Sequence, residues 1–251
     1  MYAEPAEGKY DFSTIEKSLA AVEPYQKNLT ICLFPFPVPN WLNNDSKVQT
    51  YKVPHAGPGF TTPVPWDERG LARWEALCKA LSEYRVKDAS QGGKLVPLRD
   101  HPLLFAVHCW PMGMNGIRDI AMVSGRGTPL HATPNYSRDA LTTGILRSTH
   151  AMVDHFPKQF RCVPFFRIMD KVASPSLDQH LVSALKKEFW RGQGAPQVGL
   201  LQENLSAGGP NASGGSVLIQ EKSGCSPPPG RVHVYRSTMA DSRKREILRI
   251  S

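Results

Sequence analysis

The chain has 251 residues, 41% of them hydrophobic and 21% charged, enough to bury a sizeable core in one domain near the usual upper size. Its longest apolar runs are strand-sized, well short of the roughly 18 residues that a membrane span requires, and the N-terminus lacks the basic-then-apolar order of a signal peptide, so a soluble protein with no membrane partner is expected. The formal charge of +8 does not read as a nucleic-acid interface: residues 231–251 hold six Lys/Arg against two Asp/Glu, so this tail carries +4 and everything before it the other +4, with no basic stripe interleaved with aromatics.

Residues 2–12 (YAEPAEGKYDF) form a turn-rich lead-in. It ends at a capping box, in which Ser13 accepts from a first-turn amide and Glu16 bonds back to the cap. The helix that follows carries Ile15, Leu19 and Val22 on one stripe and stops at Pro24. Residues 29–34 (LTICLF) read as a buried strand closed by Pro35, Pro37 and Pro39, none of which can donate to a ladder. The connection over 35–66 is rich in Pro, Gly and aromatics, and structureless connections of that length usually serve as lids or binding loops. Trp41 and Trp66 in it suit a sugar face, offering apolar contact while the indole N–H reaches a hydroxyl, or else they pin the loop to the core.

Asp67 starts a helix with Leu71, Trp74, Cys78 and Leu81 on one face, and a Gly/Lys linker leads from it to residues 103–110 (LLFAVHCW). This run is apolar at nearly every position and suits a strand covered on both faces, as in a parallel sheet. The stretch behind it (PMGMNGIRD, 111–119) puts His108, Trp110, Asn115, Arg118 and Asp119 where an α/β sheet binds its ligand. Further on, Ser137 caps a helix with Leu141, Ile145, Met152 and Phe156, stopped by Pro157. A strand over 160–168, a helix over 176–190 and a strand over 197–202 follow, the last running into Glu203 and Asn204. Four strands alternating with helices predict a parallel sheet, either barrel or open. Residues 1–206 then form one domain, and 207–251 a Gly/Pro-rich linker and basic tail with spacing for a short hairpin at 217–222 and 232–236.

Five cysteines, Cys32, Cys78, Cys109, Cys162 and Cys225, show no zinc-finger or redox spacing and read as structural thiols. Phosphate-cradling glycine loops, Ser/His/Asp signatures and clustered metal ligands are absent from the sequence, so neither cofactor nor metal is expected.

Residues 4–12 (EPAEGKYDF) resemble the "EP-x-EG-x-YDF" lead-in of clan-A glycoside hydrolases, the (β/α)8 TIM-barrel enzymes that include the β-galactosidases of families 35 and 42. Pro39-Asn-Trp-Leu42 is similar to the "P-x-WL" after the third strand of that family, and Pro63-Val-Pro-Trp-Asp67 with its helix extends the likeness over roughly residues 2–205. The resemblance implies an incomplete (β/α)8 barrel, with residues 29–34, 103–110, 160–168 and 197–202 as strands three to six. It also implies hydrolysis of an O-glycosidic bond by two carboxylates, about 5 Å apart in retaining members. The family's Asn-Glu pair does not follow the fourth strand; the first carboxylate there is Asp119, which stands as candidate acid, and Glu203 is the second candidate. Trp41, Trp66, His108, Trp110, Asn115, Gln202 and Asn204 are the candidate substrate contacts and a carbohydrate the expected partner. His108 also reads as a satisfied core histidine. Beside the active hydrolase stand two alternatives, a non-catalytic carbohydrate-binding relic and a truncated copy of such a barrel.

Overall fold

The computed structural model of the protein describes residues 3–34, 38–52, 60–109, 130–165, 177–190, 197–202 and 248–250. Helix α1 spans Ser13–Val22 and buries Ile15, Ser18 and Leu19. It lacks the capping box: its cap residue is Phe12 and no side chain bonds there. Asp11 instead accepts from the Ser13 amide at 3.0 Å, and Glu16 accepts from the Tyr84 hydroxyl. That bond pushes the Tyr84 pKa up to about 12. Glu16 is thus drawn to a tertiary partner rather than to its own helix end.

Strand β1 (Leu29–Leu33) alternates, with Leu29, Ile31 and Leu33 buried and Thr30 and Cys32 half-buried. The 35–66 connection is not structureless where described. It holds a short helix, α2 (Asn40–Asn43), and an antiparallel pair, β2 (Thr50–Lys52) with β3 (Thr61–Pro63). Helix α3 (Glu68–Glu83) begins as the sequence implies: Asp67 accepts from the Gly70 amide at 2.7 Å and also from the Gln49 amide at 2.9 Å, so the cap ties the helix to the β2–β3 unit. The predicted Gly/Lys linker is a second hairpin, β4 (Arg85–Asp88) with β5 (Lys94–Pro97). Gly92 and Gly93 make its turn possible at φ of +68° and +81°, where a Cβ is disfavoured.

Strand β6 (Leu104–Cys109) is followed by α4 (Arg138–His155), β7 (Phe160–Phe165), α5 (Leu177–Phe189), β8 (Gly199–Gln202) and β9 (Leu248–Ile250). Helix α4 starts at Ser137, which accepts from the Ala140 amide at 3.0 Å. The sheet runs β8-β7-β6-β1-β9, and every neighbouring pair is parallel. The molecule is therefore a mixed α/β fold on a parallel sheet. Among the described residues the sheet is open, with β8 and β9 at its edges. Strand β9 lies in the stretch read as a basic tail, and it takes the side of β1 that the resemblance assigns to strand two. The segments 217–222 and 232–236 lie outside the described residues.

From β1 to β6, β7 and β8 each crossover steps in the same direction across the sheet. Crossovers of one hand that never reverse direction place their helices on one face. In keeping with this, α3 packs on α4 and α4 on α5. The face beneath them is aliphatic: Ile31, Val107 and Val163 are 0% exposed and Leu33 1%. Arg161, of the same parity as Val163, donates to the Phe156 and Pro157 carbonyls at the end of α4. Burying one Val, Ile or Leu side chain of this kind contributes about 1.5–3 kcal/mol. The other face carries Thr30, Cys32, Ala106, His108 and Cys162; β6 is enclosed on both sides along its middle, with Ala106 2% exposed on one face and Val107 0% on the other, and His108 near its end is half-buried.

Helix α4 reaches its seat through Gly144. A Cβ built there would lie 2.0 Å from the Pro65 carbonyl oxygen. Helix propensity favours alanine over glycine by about 1 kcal/mol, whereas this overlap forces the backbone apart and costs about 1–3 kcal/mol. Gly144→Ala is accordingly expected to lower the urea midpoint; a raised midpoint would rule out the close approach of α4 to Pro65.

Candidate functional site

An α/β sheet binds ligands beyond the carboxyl ends of its parallel strands, where the loops diverge. Three strands bring side chains to that end in register. Cys32 on β1 pairs with His108 on β6, His108 pairs with Cys162 on β7, and Cys162 pairs with Gly199 on β8. Side-by-side partners in a parallel ladder project from the same face, because side-chain direction alternates along each strand. A thiol, an imidazole and a second thiol thus form one row on the face opposite the aliphatic one. Thr30, Ala106 and Phe160 are paired one step below Cys32, His108 and Cys162.

His108 has no hydrogen bond among the described residues. Burial holds its pKa down to about 4, so the ring is neutral near pH 7 and keeps a nitrogen lone pair. Cys32 and Cys162 are thiols rather than disulfides. Adjacent strands lie about 4.8 Å apart, so the Cα atoms of these two cysteines, two strands apart, are separated by nearly ~10 Å, beyond the roughly 7 Å that a disulfide tolerates. The sequence marked His108 but not its neighbours. Strand parity would have put the three on one face once the register was known.

Two of the candidate tryptophans have separate surroundings. The Trp41 indole donates to the Glu4 carbonyl at 3.0 Å, and the Arg73 guanidinium lies 5.6 Å over its ring. Trp41 therefore pins the chain after β1 to the lead-in instead of standing clear as a stacking platform. Trp66 packs edge-on against Tyr136, with ring centroids 5.8 Å apart, and its indole N–H is buried with no acceptor among the described residues. Gln202 ends β8 in register with Phe165. Trp110, Asn115, Asp119, Glu203 and Asn204 lie outside the described residues.

A cluster that single-residue reading missed joins the lead-in to α3. Glu4, only 6% exposed, forms an ion pair with Arg73, which also donates to the Tyr10 hydroxyl at 3.0 Å. The Gly8 amide donates to Glu4 at 2.7 Å. Burial and the Glu4 charge raise the Tyr10 pKa. Beside it, Arg69 bridges Glu7 and Asp45.

A second cluster sits at the far side of α1. Ligand atoms of Glu23, Asp88 and His101 lie within 4.8 Å of one another, although nothing in their spacing announces a metal site. Their bonds explain them structurally. Asp88 accepts from Ser90 and Gln91, and its pKa is lowered chiefly by Ser90. Glu23 accepts from the Ala89 amide. His101 meets the Lys87 carbonyl with one ring nitrogen and the Leu103 amide with the other, which leaves no lone pair for an ion. A groove of about 250 Å³ lined by Leu71, Glu75, Arg147, His150, Ala151 and Asp154 belongs to the α3–α4 helix layer.

No protein-family model matches the chain, and no curated protein matches it.

Removing one partner of a buried ion pair leaves an uncompensated charge, at about 3–5 kcal/mol. Arg73→Met should cost stability on that scale and Glu4→Gln with Arg73→Met clearly less, as read by chemical denaturation; equal losses would mean that the pair is not the contact that matters. His108 adds a pH dependence whose sign follows from its lowered pKa. The unfolded ring takes up a proton near pH 6.5 and the folded one only near pH 4, so stability present above pH 6.5 is lost as pH falls toward 4, by about 3 kcal/mol at most. Denaturation midpoints measured across that window should fall less steeply in His108→Gln than in the parent; parallel slopes would exclude an enclosed neutral ring.

Proposed function

We propose that this chain is a glycoside-hydrolase-like protein of the clan-A type, acting on carbohydrate at the carboxyl end of its parallel sheet. The observation that carries the reading is the convergence of the segments on which the resemblance rests. Glu4 and Tyr10 of the lead-in, Trp41 of the P-x-WL segment and Arg73 of the following helix meet in one cluster. Segments brought together by the fold are under a joint packing constraint, which chance similarity of short motifs does not supply. One-directional winding of β1, β6, β7 and β8 further supports it, since a (β/α)8 barrel winds in that way.

In the proposed reaction Asp119 gives its proton to the glycosidic oxygen as the bond to the anomeric carbon breaks. Glu203, as carboxylate, meets the positive charge developing on the sugar, either directly or through a water that it deprotonates. A separation of about 5 Å between the carboxyl groups goes with the first course and roughly 6.5–9.5 Å with the second. His108, neutral and without a hydrogen bond among the described residues, is suited to a sugar hydroxyl, and the Trp66 N–H lacks an acceptor among them.

Aryl-glycosides read the reaction directly. The parent should turn them over, and Asp119→Asn should reduce the rate by about 10²–10⁴-fold, the usual contribution of a general acid. Sugar binding by calorimetry without any turnover would replace the hydrolase with a binding protein. Neither turnover nor binding across a panel of hexosides rejects the carbohydrate reading altogether.

A further inference from the structure

We infer that residues 203–247, between β8 and β9, cross the sheet face that carries Thr30, Ala106 and Phe160, and that Val217, Leu218 and Ile219 dock on it. Strands β8 and β9 are the two edges of the sheet, and both run parallel to the strands between them. The chain leaving Gln202 must therefore travel back along the sheet and about 19 Å across it, four strand spacings, to enter β9 at Leu248. Every step from β1 through β6 and β7 to β8 runs one way across the sheet; this one runs the other. Connections between parallel strands are right-handed in about 98% of cases, so a step of reversed direction passes over the opposite face. The first face is already occupied by the layer of α3, α4 and α5.

The face and the segment suit each other. On β1, β6 and β7 the side chains of that face carry no formal charge: Thr30, Cys32, Ala106, Phe160 and Cys162 are uncharged residue types, and burial keeps His108 neutral. Ala106 and Cys162 are 2% and 4% exposed, whereas Phe160, stacked on Phe105 with ring centroids 6.3 Å apart, is 41% exposed and adds apolar surface at the amino end. Val217, Leu218 and Ile219 are the one run of three consecutive apolar residues within 203–247. Residues 203–216 reach about 45 Å when extended, enough to carry this run from Gln202 to the middle of the sheet. In a complete (β/α)8 barrel the same face is the interior, filled by layers of side chains from the strands around it. Among the described residues no opposite wall faces these strands, and the crossing segment supplies the apolar contact in its place. Strand order and hand put the segment there whether or not the carbohydrate reading holds.

A photoreactive benzoylphenylalanine in place of Leu218, in the full reduced chain, reads the contact. Photoproducts mapped by mass spectrometry are expected on residues 104–108 and 160–163 of the same chain. Products on α3 or α4 would mean a left-handed path over the helices, products joining an isotope-labelled chain to an unlabelled one a second copy on the face, and no products a segment left in solvent; each overturns the docking. Thiol accessibility gives a second measurement. Leu218→Asp should speed alkylation of Cys162 by about tenfold or more, the protection that one buried leucine confers. Cys78, 0% exposed on the inner side of α3, should stay as slow as in the parent, with circular dichroism unchanged. An equal rate at Cys162 in parent and variant would overturn the docking as well. Aryl-glycoside turnover is a separate readout, so loss of either assignment leaves the other standing.

Discussion

Side-chain direction in a strand has a period of two, so a slip of one residue between β1 and β6 would turn Ile31 and Leu33 out from under the helices and put Thr30 and Cys32 in their place. The parallel register from Cys32 through His108 to Cys162 is thus fixed by the burial of the alternate residues, Ile31, Val107 and Val163, against α4 and its neighbours. Hydrophobic burial on one face decides what chemistry is aligned on the other. The polar row has little energy of its own to hold that register, and it inherits its geometry from the aliphatic side.

The same division runs through the rest of the molecule. Where a residue's role depends on near neighbours in the chain, sequence and structure agree. Asp67 and Ser137 cap their helices through amides three residues on, the stripe Leu71, Trp74, Cys78 and Leu81 is buried along α3, and α4 ends where Pro157 makes it end. Where a remote partner competes, the local rule loses. Ser13 and Glu16 have the spacing of a capping box, but a hydrogen bond to the Tyr84 hydroxyl draws Glu16 away and Asp11 serves the Ser13 amide instead.

The site was less legible than the fold for the same reason. His108 could be singled out because it interrupts an apolar run, whereas Cys32 and Cys162 look like ordinary buried thiols in the strands that contain them. Trp41 stands out as an aromatic in a proline-rich connection, yet its surroundings are set by Glu4, 37 residues earlier, and by Arg73 on α3. Glu23, Asp88 and His101 come together from three elements and carry no shared motif at all.

What the amino-acid order determined by itself was the alternation of strands with amphipathic helices and the direction of the sheet, because periodicity, caps and proline stops act within a few residues. Strand order, the hairpin of β4 with β5, and the pairing of β9 with β1 were decided only in three dimensions, since each rests on contacts whose partners are far apart in the chain. The thiol–imidazole row belongs to that second group: its three members lie on separate strands, and only the ladder hydrogen bonds that set their register bring them side by side.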